Sequence, residues 1–304
     1  MSELHTLTDL GYVRGLCARH GFVLSKQFGQ NFIVNPGICP KMAEASGIGP
    51  GWGALEIGPG IGVLTKELAL RADKVVAVEI DRRLPALLEE SLAGLDNFTL
   101  VMGDVLELDL HELLEREFPG MPVAVCANLP YYITSPILMK LLEDRLPVQS
   151  ITVMVQKEAA DRICAAPGTR EAGAISLAVR YYAEPQVLFT VSPGSFTPPP
   201  KVTSAVIRLT LHDAPPVRPV SEARMFRIIR AAFSQRRKTA VNGVSAGLGL
   251  AKSTVTEAFA ATGLAPMLRP EQMTLADFCA LEKALSAVLP DVSSDSRTLS
   301  SESE

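Results

Sequence analysis

From Gly53 onward, apolar residues come in short runs separated by longer amphipathic stretches. Ala54–Ile57, Val75–Glu79, Phe98–Met102, Val123–Ala127 and Ile151–Val155 are four or five residues long and dominated by aliphatic side chains. Runs of that length and make-up read as strands buried on both faces. Helical patterns fill the intervals after most of them, so the predicted architecture is α/β: a doubly wound, mostly parallel sheet. Val187–Thr190 and Ala205–Thr210 flank a proline-rich loop and predict an antiparallel hairpin at the sheet edge. The pattern then breaks at His212-Asp213-Ala214-Pro215-Pro216 through Pro219. This places a linker at 212–220, with one domain over 1–211 and a second over 221–290. In the second, Glu222–Phe233, Ser253–Ala261 and Leu275–Val288 read as three helices with no strand between them, a small all-helical domain. Residues 291–304 are rich in Ser, Asp and Glu and predict a disordered tail.

Composition narrows the class of protein. With 304 residues, 47% of them hydrophobic, the chain can build one large core and a smaller one. The net charge of -4 does not advertise a nucleic-acid binder, although a local basic stripe can still hold phosphate. Cys17, Cys39, Cys126, Cys164 and Cys279 are odd in number and lack C-x-x-C spacing, which points to reduced thiols in a cytoplasmic protein. His5, His20, His111 and His212 are equally scattered, so neither a metal centre nor histidine-based catalysis is expected. No signal peptide or membrane span is expected either, since no run approaches about 20 apolar residues.

The chemistry gathers at strand ends. Asn128-Leu129-Pro130-Tyr131-Tyr132 follows the run ending at Ala127, at the end of a parallel strand where open α/β sheets bind ligands. The Asn128 side-chain carbonyl and the Leu129 backbone carbonyl can accept the two N–H groups of an adenine-type amine, with Tyr131 as a stacking face. The same residues would also serve as an Asn-initiated turn before a helix at Ser135-Pro136. Glu56-Ile57-Gly58-Pro59-Gly60-Ile61-Gly62 is a glycine-rich strand-to-helix turn that lets a ligand approach the backbone. Its spacing differs from the dinucleotide fingerprint, and Pro59 lacks an N–H for a pyrophosphate. Glu79 suits a ribose in nicotinamide and S-adenosylmethionine enzymes alike. Asp104 can accept from an adenine N6 while Val105 covers the ring. Either acid alone reads as a solvated strand end; together with Gly58 and Asn128 they form four successive strand ends around one crevice.

On these residues the chain resembles class I methyltransferases, specifically the ribosomal RNA adenine N6-dimethyltransferase family. The likeness includes Lys26-Gln27-Phe28-Gly29-Gln30-Asn31-Phe32, the Glu56 to Gly60 turn, Asn128 to Tyr131, Gln156-Lys157-Glu158, Phe196-Thr197-Pro198-Pro199-Pro200-Lys201-Val202 and Gln235-Arg236-Arg237-Lys238-Thr239. It implies a Rossmann-like sheet holding S-adenosyl-L-methionine against Asn31, the backbone at Ile33, Gly58, Glu79 and Asp104, with Asn128 bridging cofactor and target. It further implies dimethylation of two adjacent adenosines near the 3′ end of 16S rRNA in the small ribosomal subunit, by an enzyme that is monomeric when free and needs no metal. Phe196 would then flank the flipped base opposite Tyr131, held by a stiff Pro-Pro-Pro run; its other reading is a core residue in a rigid connection. Tyr132 replaces the Asn of some members.

Arg224, Arg227 and Arg230 recur on a broad helical face, with Arg236-Arg237-Lys238 directly after, a candidate phosphate track that an exposed helix would also display without a partner. Arg14, Arg19 and Lys26 extend it toward the N-terminus. The related methyltransferase of 23S rRNA that confers antibiotic resistance shares the cofactor motifs. Leu129, the Phe196 loop and the Gln235 to Thr239 segment favour the small-subunit branch. A ribosome-assembly binding factor with secondary methylation fits the basic second domain equally well.

Overall fold

The computed structural model describes residues 7–23, 31–235 and 237–290. Lys26 to Gln30, Arg236 and the 291–304 tail lie outside the described residues. In chain order the elements are α1 (Leu10–Arg19), β1 (Phe32–Ile33), α2 (Ile38–Ala45), β2 (Gly53–Ile57), α3 (Val63–Ala69), β3 (Lys74–Glu79), α4 (Pro85–Ser91), β4 (Phe98–Met102), α5 (Leu110–Glu117) and β5 (Val123–Asn128). There follow α6 (Thr134–Glu143), β6 (Ser150–Gln156), α7 (Lys157–Ile163), α8 (Ala174–Tyr182), β7 (Ala183–Val191), β8 (Phe196–Thr197), β9 (Ser204–Leu211), α9 (Glu222–Phe233), α10 (Ala240–Leu248), α11 (Lys252–Ala261) and α12 (Leu275–Leu285).

Seven strands form one sheet in the order β4-β3-β2-β5-β6-β9-β7. β4, β3, β2, β5 and β6 run parallel, and β9 returns antiparallel to β6. The β-rich runs are mostly apolar because helices cover both faces; β2 is buried at all five positions. Chain order reverses beside β2, which has β3 on one side and β5 on the other. That switch point opens a crevice at the C-terminal strand ends. The short strands β1 and β8 pair separately, Phe32 with Thr197 and Ile33 with Phe196. This fold is the mostly parallel α/β sheet with an antiparallel edge that the sequence predicts.

The chain divides into two compact units. One runs up to Ala160 and takes in Pro185–Leu211; the other comprises Asp161–Glu184 and the chain from His212 onward. Residues 161–184 thus group with the helical unit, whereas the proline-rich break alone suggested a single boundary at 211. Their attachment is chemical: Tyr181 and Tyr182 hydroxyls donate to the Glu222 carboxylate at 3.0 and 2.6 Å, and the Tyr182 ring stacks on Phe226.

The helical unit also holds a helix that hydrophobic periodicity missed. α10 reads Ala-Val-Asn-Gly-Val-Ser-Ala-Gly-Leu, with two glycines and few strong helix formers, so propensity argues against it. Its glycines serve packing: a Cβ on Gly243 would fall 2.6 Å from the Ala232 carbonyl oxygen of α9. Close approach of two backbones supplies what propensity lacks.

Candidate active site

Four strand ends of the first unit meet at one cavity of about 250 Å³. From β2 come Glu56 and the Gly58 to Gly60 turn, from β3 Glu79 and Ile80, from β4 Asp104 and Val105, and from β5 Asn128 through Tyr132. Asn31, Phe32 and Ile33 supply the remaining wall. All the sequence-predicted cofactor residues therefore line one space. Gly58 and Gly60 have left-handed φ of 71° and 58°, and a Cβ on Gly58 would meet nothing within 4 Å. The turn thus presents bare backbone to an open cradle.

Glu79 is 7% exposed, and its Oε1 accepts from the N–H groups of Ile80 and Asp81, each at 2.8 Å. Burial raises its pKa while those N–H groups, Asp81 first, pull it back. Asp104 accepts from Leu106 N–H at 2.9 Å, which orients its carboxylate on the turn after β4. Glu56 is an acid to which the sequence pattern assigns no role. It is 1% exposed, and its Oε2 has no partner that meets hydrogen-bond geometry. Burial pushes its carboxyl up to about 8; the Thr65 hydroxyl offsets this in part, and the nearby Glu79 adds to it. A charged residue inside an otherwise apolar strand run was the signal available to find it.

β5 delivers the remaining groups. The N–H of Leu129 donates to the Met154 carbonyl of β6 at 3.1 Å, carrying the ladder one residue past Asn128. Pro130, at φ -59°, then turns the chain into a single 3-10 turn over Tyr131–Ile133, and its carbonyl accepts from Ile133 N–H and from the Thr134 hydroxyl. The Asn128 side chain makes no hydrogen bond to a described residue. An asparagine acting only as a turn initiator would bond the backbone just after it, so the turn reading does not account for its carboxamide on the cavity wall. Tyr131 is half-buried, with its hydroxyl 2.6 Å from Ser204 Oγ of β9. Burial raises its pKa and that hydrogen bond lowers it.

Two sequence expectations are corrected by the side-chain placements. Phe196 is 3% exposed within the apolar cluster that contains Ile33, Met42 and Met154, and it does not line the cavity. Its pairing with Ile33 places it behind the β1 wall, so its core reading holds in this structure. Arg224 is 4% exposed and its Nε donates to Glu282 at 2.7 Å, a buried ion pair that removes it from any phosphate track. Of the other cations, Arg227 is half-buried with Nη1 on the Pro290 carbonyl, and Arg230, Arg237 and Lys238 are exposed. Toward the N-terminus, Arg19 pairs with Glu90 of α4.

An orphaned buried carboxyl, an open glycine cradle and two acids at neighbouring strand ends fit a small cationic nucleoside with ribose hydroxyls and an amine. Ribosomal RNA small subunit methyltransferase A of Geobacillus sp. (strain WCH70) is 45% identical over 283 residues, covering 92% of this chain and 97% of its own. The solved structure of a dimethyladenosine transferase from Plasmodium falciparum matches with a TM-score of 0.68 at 25% identity, covering 84% of this chain and 98% of that one. That of the 23S rRNA methyltransferase ErmE matches with 0.62 at 27% identity, covering 84% and 99%. The model of the ribosomal RNA adenine dimethylase family matches residues 21–286. The chain, a methyltransferase by fold and by sequence, belongs to the ribosomal RNA adenine dimethylase family.

Proposed function

We propose that this enzyme uses S-adenosyl-L-methionine to dimethylate N6 of two adjacent adenosines near the 3′ end of small-subunit rRNA, in the cytoplasm. The observation that carries the reading is the convergence of Gly58, Glu79, Asp104 and Asn128 on one cavity. The small-subunit target is supported by the 45% identity to a relative named for that subunit, against 27% to the 23S rRNA enzyme.

When bound, S-adenosylmethionine supplies a methyl group activated by its positive sulfur. Glu79 accepts from the ribose hydroxyls, and Asp104 accepts from the adenine amine with Val105 against the ring. Asn31 and the backbone at Ile33 line the remaining wall, where Phe196 supports them from behind. For the target base, Asn128 and the Leu129 carbonyl accept the N6 protons and stabilise the positive charge that N6 gains in the transition state. Pro130 limits the ordering cost of that segment, and Tyr131 offers its ring face. The methylated amine is acidic enough to release its proton to water, so no general base is assigned. Arg230, Arg237 and Lys238, with Arg236, are the phosphate-docking cations in this reading.

The test is methyl transfer from labelled cofactor to small and large subunits from cells lacking the enzyme, with the modified nucleotides mapped. Label on two neighbouring adenosines of the small subunit is expected. Label on the large subunit alone, or on neither, overturns the proposal.

A further inference from the structure

Adjacent tyrosines leave β5 for different surroundings. Tyr131 is tied to Ser204 of β9. Tyr132 lines the same cavity yet is 59% exposed, and its hydroxyl bonds no described residue. Its phenol is held above the ordinary range first by partial burial, then by the charges of Asp104 and Glu79. Tyr132 shares that cavity with Glu79, Ile80, Asp104 and Val105 from the ends of β3 and β4, whereas the Tyr131 hydroxyl is anchored to β9. Ile80, next to Glu79, is a second large apolar residue that lines the cavity while 49% exposed. Apolar surface left open around a pocket gains most when a ligand covers it. The 3-10 turn bonded to the Pro130 carbonyl holds the Tyr132 backbone in place, so little is lost in ordering the ring.

We propose that Tyr132 closes over the adenosine end of the cofactor as a retaining residue, while Tyr131 serves the target base. The inference rests on the S-adenosylmethionine reading above. A purine offers a flat π-face to an aromatic ring whatever its edge pattern, and an exposed side chain can swing away when spent cofactor leaves. Each further methylation needs a fresh cofactor, so the same ring governs exchange between successive transfers.

The experiment is calorimetry on the full chain with S-adenosylhomocysteine and with 5′-methylthioadenosine, which keeps the adenosine end and lacks the amino-acid end. Tyr132→Ala is expected to weaken both by about tenfold, as loss of a base–aromatic stack does. Tyr132→Phe should keep both affinities within about twofold, because the ring makes the contact. Tyr132→Leu replaces the Ala variant if thermal unfolding shows that variant to be damaged. Parent-like affinity of the truncated variant, or a loss seen with S-adenosylhomocysteine alone, overturns the assignment. So does weakened small-subunit binding at unchanged cofactor affinity, which would give the ring to RNA. If the parent binds neither ligand, the S-adenosylmethionine reading fails first and this inference with it.

Discussion

In the helical unit the buried carboxylate of Glu282, 0% exposed, accepts from Arg224 and from the N–H groups of Val220 and Ser221. In the sheet unit Glu56 is buried as deeply, yet one of its oxygens has no partner. The two acids show two ways of burying a carboxyl group. Glu282 ties the start of α9 to α12 and is complete within the fold. Glu56 lines a cavity and is left incomplete by the fold. An uncompensated buried polar group costs stability, and in Glu56 the fold itself does not recover that cost.

The sharpest way to break that comparison is to remove the compensated acid. Glu282→Ala strands the Arg224 guanidinium and two backbone donors, and should lower stability by about 3–5 kcal/mol in denaturant unfolding. A loss under about 1 kcal/mol, the range of exposed pairs, would show that the pair is not structural.

Asn128 probes the opposite case, a polar group whose proposed partner is the substrate. Asn128→Ala should slow single-turnover methylation of undermethylated small subunits by about 10²-fold or more, with RNA affinity nearly unchanged. Asn128→Asp keeps an acceptor of the same size; partial activity there would show that acceptance from N6–H outweighs the amide's own donor. Near-parental turnover by the Ala variant would return the segment to a turn.

Smaller effects sharpen the picture. Glu79→Ala removes a charged acceptor from the ribose end and should weaken S-adenosylhomocysteine about ten- to a hundredfold by calorimetry. Arg237→Ala with Lys238→Ala should flatten the salt dependence of small-subunit binding, by about one unit of slope for each phosphate that the variant no longer neutralises, and leave cofactor affinity intact. Equal slopes for variant and parent would place the RNA surface elsewhere.

The smallest expected change is Glu56→Gln at about pH 4.5, where an acid neutral in the fold gives way to a neutral amide of similar shape. Its effect appears across pH. The folded value, about 8, lies above the unfolded one, so Glu56 contributes stability that is present in full below about 4.5 and lost as pH rises through about 8. The Gln variant should lose less stability than the parent between about pH 4.5 and 8. Parallel thermal-unfolding curves would mean that Glu56 is already ionised in the fold.

Much of the sheet unit was legible because its signals are local. The runs behind β2 to β6 are short and mostly apolar, and Glu79, Asp104 and Asn128 sit at or just past the ends of three of them, so strands and strand ends followed from one pattern. The helical unit was less legible for the same reason. α10 depends on glycines chosen by a neighbouring helix, and Arg224 repeats at the spacing of an exposed cationic face although it is buried. Helical periodicity says which residues share a face; it does not say whether an acid on another helix waits there.

The sequence by itself determined the alternation of strand and helix, the four chemical groups at the strand ends and the family to which the chain belongs, because these depend on residue type and short spacing. Only the tertiary structure decided that Phe196 lies behind the β1 wall, that Arg224 is spent on Glu282, that residues 161–184 join the helical unit, and that Tyr131 is tied to Ser204 while Tyr132 stays exposed on the same cavity. Those outcomes depend on partners far away in the chain, and burial and charge pairing are fixed by what packs alongside.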